Sequence, residues 1–208
     1  MAEMIESPES YFSKFRPEVS DQIRRLEEEA EAENIPIVGP VMAQMLYLLA
    51  RSAGAVNILE CGSAIGYSSI FLAKACKINN GRLITYEIDA GMAKRAKANI
   101  SEAGLQRFAE VRHADVLADI TKIEEPMGMI FMDVDKEMYA ALLPSCKALL
   151  SPRGLLVADN TGFKDADEFN RAIRRDPDWE SINLWSFLPG HSPGYDGFCI
   201  AMKASEIL

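Results

Sequence analysis

Short apolar runs alternate with amphipathic stretches along most of this chain of 208 residues. From Val56 onward five strand-like runs, each followed by a segment with helical spacing, read VNILE, RLITYE, AEVRH, MIFMD and GLLVAD. Short apolar runs that alternate with helical segments are typical of parallel βαβ units. The pattern therefore predicts an α/β fold with a mostly parallel sheet and helices on both faces.

The segments before and after these units complete the predicted architecture. Residues 1–54 contain two helical patterns, DQIRRLEEEAEAEN and VMAQMLYLLARSAG, separated by the breaker IPIVGP. At the other end, WESINLWSFL and YDGFCIAMK predict two last strands, as an antiparallel pair with a long loop. We expect one domain over residues 1–208, in which residues 1–54 form a helical cover and residues 55–208 a Rossmann-like core.

The net charge and the cysteine spacing disfavour several kinds of partner and site. The formal net charge of −9 argues against binding to nucleic acid, and no apolar stretch is long enough to span a membrane. The start of the chain lacks the features of a signal peptide, so we expect a cytoplasmic protein. His113 and His191 are too isolated to predict a metal pair. The four cysteines show no CxxC spacing and are predicted to be buried, reduced thiols: Cys61, Cys76, Cys146 and Cys199.

Acidic side chains end most of the strand-like runs. Glu60, Glu87 and Asp133 each close a run, and Asp159 with Asn160 closes the last one before the tail. In open parallel sheets, ligands bind beyond the carboxyl ends of the strands, near the point where the strand order reverses. We therefore expect these side chains to border one binding site, although a single acid at a strand end is common at any surface.

The stretch ECGSAIGYSS predicts a ligand-binding turn between the first strand and the following helix. Gly62 and Gly66 allow a tight turn and a close approach of the backbone, and Ser68 adds a donor near the helix start. The spacing fits neither the GxGxxG of dinucleotide binding nor a phosphate-binding loop. With Glu87 placed for ribose hydroxyls and Asp115 for a base, the turn indicates a nucleoside that carries an amino-acid tail.

Four motifs in this order, ILECGSAIGYSS, LITYEID, FMDVDKEMY and LLVADN, resemble the cation-dependent O-methyltransferases. That family includes the catechol and caffeoyl-coenzyme A enzymes and their bacterial relatives, and the resemblance covers residues 36–203. It implies a Rossmann-like methyltransferase fold with a seven-stranded sheet, and S-adenosylmethionine as cofactor. It also implies the residues that bind this cofactor, which are Val38, Gly62, Gly66, Ser68, Glu87, Ile88, Ala114, Asp115 and Asp133.

The resemblance further implies a divalent cation, Mg²⁺, Mn²⁺ or Ca²⁺, held by Asp133, Asp159 and Asn160. Two carboxylates and an amide oxygen are hard ligands that suit these ions. Lys136 matches the lysine that acts as general base in the catechol enzymes, so Lys136 and Asp133 are the expected catalytic residues. The expected acceptor is a small phenolic or catechol-like molecule, since the acidic N-terminal stretch does not suit the phosphate of a coenzyme A thioester. The short segment after Asn160 predicts a shorter, more open substrate wall.

Several alternatives stay open at the level of the sequence. The chain could be a catalytically silent S-adenosylmethionine-binding protein, or a Mg²⁺-binding phosphoacceptor module, for which Glu60 supplies only half of the acid pair. A NAD-dependent dehydrogenase is disfavoured by the missing third glycine. Three aromatic residues either line the acceptor pocket or fill the core: Trp185, Phe187 and Tyr195. The apolar helix VMAQMLYLL either forms a homodimer interface or packs on its own domain.

Overall fold

The computed structural model describes residues 3–204, and a seven-stranded sheet forms the centre of the protein. The strands are β1 (Asn57–Cys61), β2 (Arg82–Glu87), β3 (Ala109–His113), β4 (Met127–Met132), β5 (Leu150–Ala158), β6 (Trp179–Phe187) and β7 (Tyr195–Lys203). Their order across the sheet is β3-β2-β1-β4-β5-β7-β6. Only β7 runs antiparallel to its neighbours, which confirms the predicted sheet and the predicted antiparallel pair at its edge.

Helices cover both faces of this sheet. They are α1 (Pro8–Ser13), α2 (Asp21–Glu33), α3 (Gly39–Ser52), α4 (Tyr67–Ile78), α5 (Ala90–Glu102), α6 (Val116–Asp119), α7 (Tyr139–Leu149) and α8 (Asp167–Arg175). Helices α2 to α5 share one hydrophobic cluster with one face of the sheet, whereas α6 to α8 share a second cluster with the other. None of the described helices is both long and apolar enough to cross a membrane.

Alternation along the central strands supplies both clusters. In β1, Ile58 belongs to the first cluster and Leu59 to the second, because successive side chains of a strand point to opposite faces. Both residues are fully buried, as are most residues of β4. A strand that is buried on both faces is continuously apolar, which is why the sequence shows short unbroken runs rather than polar alternation.

The N-terminal helices belong to the same packed unit as the sheet. Helix α3, which the sequence left between an interface and the core, buries Met42, Leu46 and Ala50 in the first cluster and packs against α4. Helix α1 has no buried residue and was not predicted, because six residues are too few to show a helical period. All four cysteines are buried and free of disulfides, as predicted.

Candidate active site at the carboxyl ends of the strands

A cavity of about 290 Å³ lies at the carboxyl ends of the central strands, where the strand order reverses between β1 and β4. Every site residue predicted from the sequence except Glu60 and Gly66 contributes to its wall. These residues are Val38, Gly62, Ser68, Glu87, Ile88, Ala114, Asp115, Asp133, Lys136, Asp159 and Asn160. Side chains that are up to about 120 positions apart in the chain are therefore brought together by the topology of one sheet edge.

The glycine turn between β1 and α4 contacts both neighbouring strands, β2 and β4, at their carboxyl ends. The backbone amide of Gly62 donates to the carbonyl of Tyr86 at 3.0 Å, and Gly62 has a φ of 97°. A Cβ atom at Gly62 would lie 2.1 Å from the carbonyl oxygen of Asp133, so only glycine fits there. Gly66, with a φ of 87°, packs against Ala96 of α5 instead of lining the cavity. Gly66 therefore serves the packing of α4 on α5, and its predicted contact with the cofactor stays a prediction.

Glu87 presents a fixed carboxylate on the β2 side of the cavity. Its Oε2 accepts a hydrogen bond from the amide of Ala64 at 2.8 Å, and its Oε1 accepts one from the amide of Asp89 at 2.9 Å. Each carboxylate oxygen can accept more than one hydrogen bond, so the group can still receive hydroxyl donors. Asp115 uses its Oδ1 to cap α6 through the amide of Leu117, which leaves its Oδ2 for a ligand.

Asp133 and Asp159 occupy equivalent positions one residue beyond adjacent strands. The amide of Asp133 donates to the carbonyl of Cys61, and that of Asp159 donates to the carbonyl of Met132, which extends the parallel ladder past both strand ends. Lys136 Nζ lies 3.2 Å from Asp133 Oδ1. Burial and the charge of Asp159 raise the pKa of Asp133 to about 6, although Lys136 acts in the opposite direction.

Asp159 and Asn160 each keep one oxygen free of other partners. Asp159 Oδ1 is buried and has no hydrogen-bond partner among the described residues. Asn160 adopts a φ of 51° and donates through Nδ2 to Asp196 Oδ2 at 2.5 Å, which leaves its amide oxygen available. A buried carboxylate oxygen without a partner is costly, and a cation beside it would remove that cost. This donor set therefore fits a hard divalent ion.

A metal ion would need the side-chain amide oxygen of Asn160 as a third ligand. Within residues 3–204, no group of three or more His, Cys, Asp or Glu side chains could by itself hold a metal ion. The candidate set is instead two carboxylates and one amide oxygen on the β4 and β5 side of the cavity. Ligands of this kind leave about three positions of an octahedral ion for water and substrate.

Two residues that were not predicted as site residues hydrogen-bond to the candidate metal ligands. His191 Nε2 lies 2.8 Å from Asp159 Oδ2, and Asp196 accepts the hydrogen bond from Asn160. Burial lowers the pKa of His191, but the hydrogen bond and charge of Asp159 raise it more, so the net shift is upward. Both residues lie in the segment between the middle of the β6–β7 loop and the start of β7. The sequence showed only that the connection between the two last strands is long.

Glu60 does not join the acids of the cavity. It is fully buried in β1 and accepts a hydrogen bond from the hydroxyl of Ser69. Burial raises the pKa of Glu60 to about 7, and the nearby hydroxyls of Ser68, Ser69 and Thr85 oppose this shift. A phosphoacceptor module needs a pair of acids at this point. The sequence supplies only Glu60, and the burial of Glu60 removes even that acid from the cavity.

The three aromatic residues of the tail line neither the core nor the cavity. Trp185 is 66% exposed and Tyr195 is 43% exposed, which excludes the core for both of them. The rings of Phe187 and Tyr195 lie 5.1 Å apart, and the Tyr195 hydroxyl donates to Glu9 of α1. None of the three contributes to the cavity wall. Phe187 and Tyr195 form instead an aromatic pair beside α1, and Trp185 lies against Gly162.

Comparison with known proteins places the whole arrangement in a family. The O-methyltransferase family model matches residues 10–181, which is most of the chain. A catechol O-methyltransferase of Niastella koreensis is 39% identical over 127 residues, an alignment that spans 59% of this chain and 57% of that protein. A catechol O-methyltransferase of Mycobacterium tuberculosis is 26% identical over 186 residues, covering 83% of this chain and 84% of that one.

Solved structures give the same result for the fold. The O-methyltransferase from Bacillus cereus, in complex with SAH, superposes with a TM-score of 0.85 at 28% identity, over 95% of this chain and 97% of that one. The O-methyltransferase TomG from Streptomyces achromogenes, in complex with SAM, has a TM-score of 0.85 at 25% identity and covers 97% of this chain and 100% of that one. With its sheet order and strand-end cavity, this chain belongs to the O-methyltransferase family.

Proposed function

We propose that this protein transfers a methyl group from S-adenosylmethionine to a hydroxyl oxygen of a small, catechol-like phenol, with a divalent cation (Mg²⁺, Mn²⁺ or Ca²⁺) at the site. The observation that carries the proposal is one cavity with Glu87 on its β2 side and Asp133, Lys136 and Asn160 on its β4–β5 side. The names of the two catechol O-methyltransferases above and the SAH and SAM complexes of the two structures support it.

The side chains of the β2–β3 side suit the nucleoside of the cofactor. Glu87 would accept hydrogen bonds from both ribose hydroxyls, because its carboxylate is held in place by two backbone amides. Ile88 and Ala114 would flank the adenine, and Asp115 would accept from its amine. The glycine turn at Gly62 would admit the methionine end close to the backbone. S-adenosylmethionine supplies a methyl group on a sulfonium, and these contacts would orient that group toward the acceptor.

The side chains of the β4–β5 side suit deprotonation of a phenol. Asp133, Asp159 and Asn160 would hold the cation, which supplies positive charge that lowers the pKa of the acceptor hydroxyl. Lys136, in its neutral form, would take the hydroxyl proton at Nζ, and its contact with Asp133 keeps that nitrogen at the cavity wall. The phenolate oxygen would then take the methyl group in line, and the sulfonium sulfur would leave as the thioether of S-adenosylhomocysteine. Most of the acceleration is expected from holding the two reactants in this geometry.

Titration calorimetry and a product assay together test this function. The protein should bind S-adenosylmethionine and should methylate catechol or caffeate, as followed by mass spectrometry of the product. EDTA should abolish turnover, and added Mg²⁺ should restore it. Turnover that persists in EDTA would reject the cation-dependent mechanism, and absence of cofactor binding would reject the methyltransferase function itself.

Lys136→Met tests the assignment of the base. We expect kcat to fall by about 10²- to 10⁴-fold, the usual contribution of a general base, with little change in cofactor affinity. Lys122→Met is a matched control, because Lys122 pairs with Asp119 at the surface and lies outside the cavity. Equal activity of the two variants would show that Lys136 is not the base.

A further inference from the structure

The loop between β6 and β7 carries a histidine that is buried against the candidate cation site. The His191 and Asp159 side chains are each only 1% exposed. His191 Nε2 lies 2.8 Å from Asp159 Oδ2, and His191 Nδ1 lies 2.7 Å from the carbonyl oxygen of Pro193. The imidazole thus bridges the loop that carries it to the end of β5.

The partners of the ring determine what it can do. A carbonyl oxygen only accepts hydrogen bonds, so the Nδ1 of His191 carries a proton that it donates to Pro193. Nε2 lies at hydrogen-bond distance from Asp159 Oδ2, and toward an ionised carboxylate it is the donor. Both ring nitrogens are thus paired with protein oxygens, and neither is free for a metal ion. His191 is therefore a hydrogen-bond donor to the carboxylate and not a ligand of the cation.

The hydrogen bond from His191 selects which oxygen of Asp159 stays available. It occupies Oδ2, whereas Oδ1 is buried without a partner among the described residues. Asn160 is held in a parallel way, because its Nδ2 donates to Asp196 Oδ2 at 2.5 Å and to the carbonyl of Ser192 at 3.4 Å. The β6–β7 loop and the start of β7 thus hold the two adjacent side chains, each through an atom that a cation would not use.

We propose that His191 is a positioning residue for the cation site: by donating Nε2–H to Asp159 Oδ2, it presents Asp159 Oδ1 to the ion as a single oriented ligand. This inference rests on the proposed function, since it assumes that Asp133, Asp159 and Asn160 hold a divalent cation. Groups that hydrogen-bond to metal ligands in this way typically change metal affinity or activity by about 10- to 100-fold.

Two substitutions separate the hydrogen bond from the bulk of the ring. In His191→Gln the amide nitrogen can reach the position of Nε2 and keep the donor to Asp159. In His191→Asn the shorter side chain can keep the donor to Pro193 but loses the contact with Asp159. Binding of Mn²⁺ to the full-length protein, measured by electron paramagnetic resonance, is the readout. Binding of S-adenosylhomocysteine and the melting temperature without metal serve as controls for the rest of the fold.

We expect His191→Asn to weaken Mn²⁺ binding by about 10-fold or more, and His191→Gln to stay within about 3-fold of the unmodified protein. S-adenosylhomocysteine affinity should be similar in all three proteins. Equal Mn²⁺ affinity of the two variants would overturn the positioning role, whether both are unaffected or both are weakened. If the unmodified protein binds no Mn²⁺ at all, the cation site of the proposed function fails first, and that result is distinct from a failure of His191.

Discussion

At the scale of single residues, the buried carboxylates differ in what compensates them. Asp159 accepts a hydrogen bond from His191, and Asp133 accepts one from Lys136. Glu60 receives only hydroxyl donors, and its Oε1 has no partner among the described residues. A buried acid without an opposite charge is stabilised in its protonated form. Glu60 is therefore the group through which pH should act on the stability of the core.

Glu60→Gln should stabilise the protein at alkaline pH. The pKa of Glu60 is about 7 in the folded state, raised from 4.5 by burial, so the fold binds this proton more tightly than the unfolded chain. The contribution of Glu60 to stability is thus fully present below pH 4.5 and is lost as pH rises through 7. Between about pH 5.5 and pH 8, the advantage of the variant should grow by roughly 2 kcal/mol.

Urea denaturation at several pH values measures this difference. Glu124→Gln is the control, because Glu124 is exposed and its replacement should give no such trend. A pH-independent difference between Glu60→Gln and the unmodified protein would show that Glu60 titrates alike in the folded and unfolded states.

At the scale of secondary-structure elements, close approach of backbone segments shapes the cavity. The turn after β1 lies against the first residue beyond β4, and Gly62 is the point of contact. Strands β1 and β4 are joined by the hydrogen bonds of their parallel pairing, so moving either segment away would cost the free energy of those bonds. The glycine is needed both for its positive φ and for the absence of a side chain.

Gly62→Ala should destabilise this junction more than a positive φ alone explains. Gly54 also has a positive φ, but a Cβ there meets nothing within 4 Å, so Gly54→Ala isolates the conformational cost of about 1 to 2 kcal/mol. Gly62→Ala should cost about 1 to 3 kcal/mol more because of the clash with the Asp133 carbonyl. Chemical denaturation of both variants measures the difference, and equal losses would mean that the β4 end yields to the added methyl group.

At the scale of the whole molecule, the N-terminal helices and the sheet share one hydrophobic cluster. Ile23 of α2 and Leu46 of α3 pack in the same cluster as Ile58 and Phe131 of the central strands. A cluster that is contributed by both segments links their stability. We therefore propose that the helical cover and the Rossmann-like core unfold together as a single domain.

Leu46→Ala tests this linkage. Leu46 is fully buried, so the substitution should cost about 2 to 5 kcal/mol. Differential scanning calorimetry should show a single transition that moves as a whole to lower temperature. The exposed Leu48 of the same helix offers a control, Leu48→Ala, that should shift it far less. Two separate transitions, of which only one moves, would show that residues 1–54 fold independently.

Much of the architecture follows from local patterns in the sequence. Unbroken apolar runs such as those around Ile58 and Phe131 predict strands buried on both faces, and the helical segments between them impose parallel pairing. Parallel strands bring their carboxyl ends to one edge, so Glu87, Asp133 and Asp159 could be expected at a common site before any coordinates were known. These features follow from the spacing of apolar residues and from the order of strands and helices, which can both be read from short stretches of the chain.

Other features were decided by the tertiary structure. Glu60 and Glu87 both end strand-like runs and lie on the same face of the sheet. Glu60 pairs with Thr85, two residues before Glu87, so Glu60 stays buried under α4, whereas Glu87 reaches the cavity at the sheet edge. Gly66 serves the packing of α4 on α5, which no local motif indicates.

The clearest case is His191, which is 32 residues from Asp159 in the chain and 2.8 Å from it in space. The sequence by itself determined the strands, their order along the chain and the residues at their ends, because the spacing of apolar residues and the handedness of crossovers are properties of short segments. Only the folded chain decided how the β6–β7 loop returns over the sheet edge, because the path of a long loop is set by contacts with distant segments.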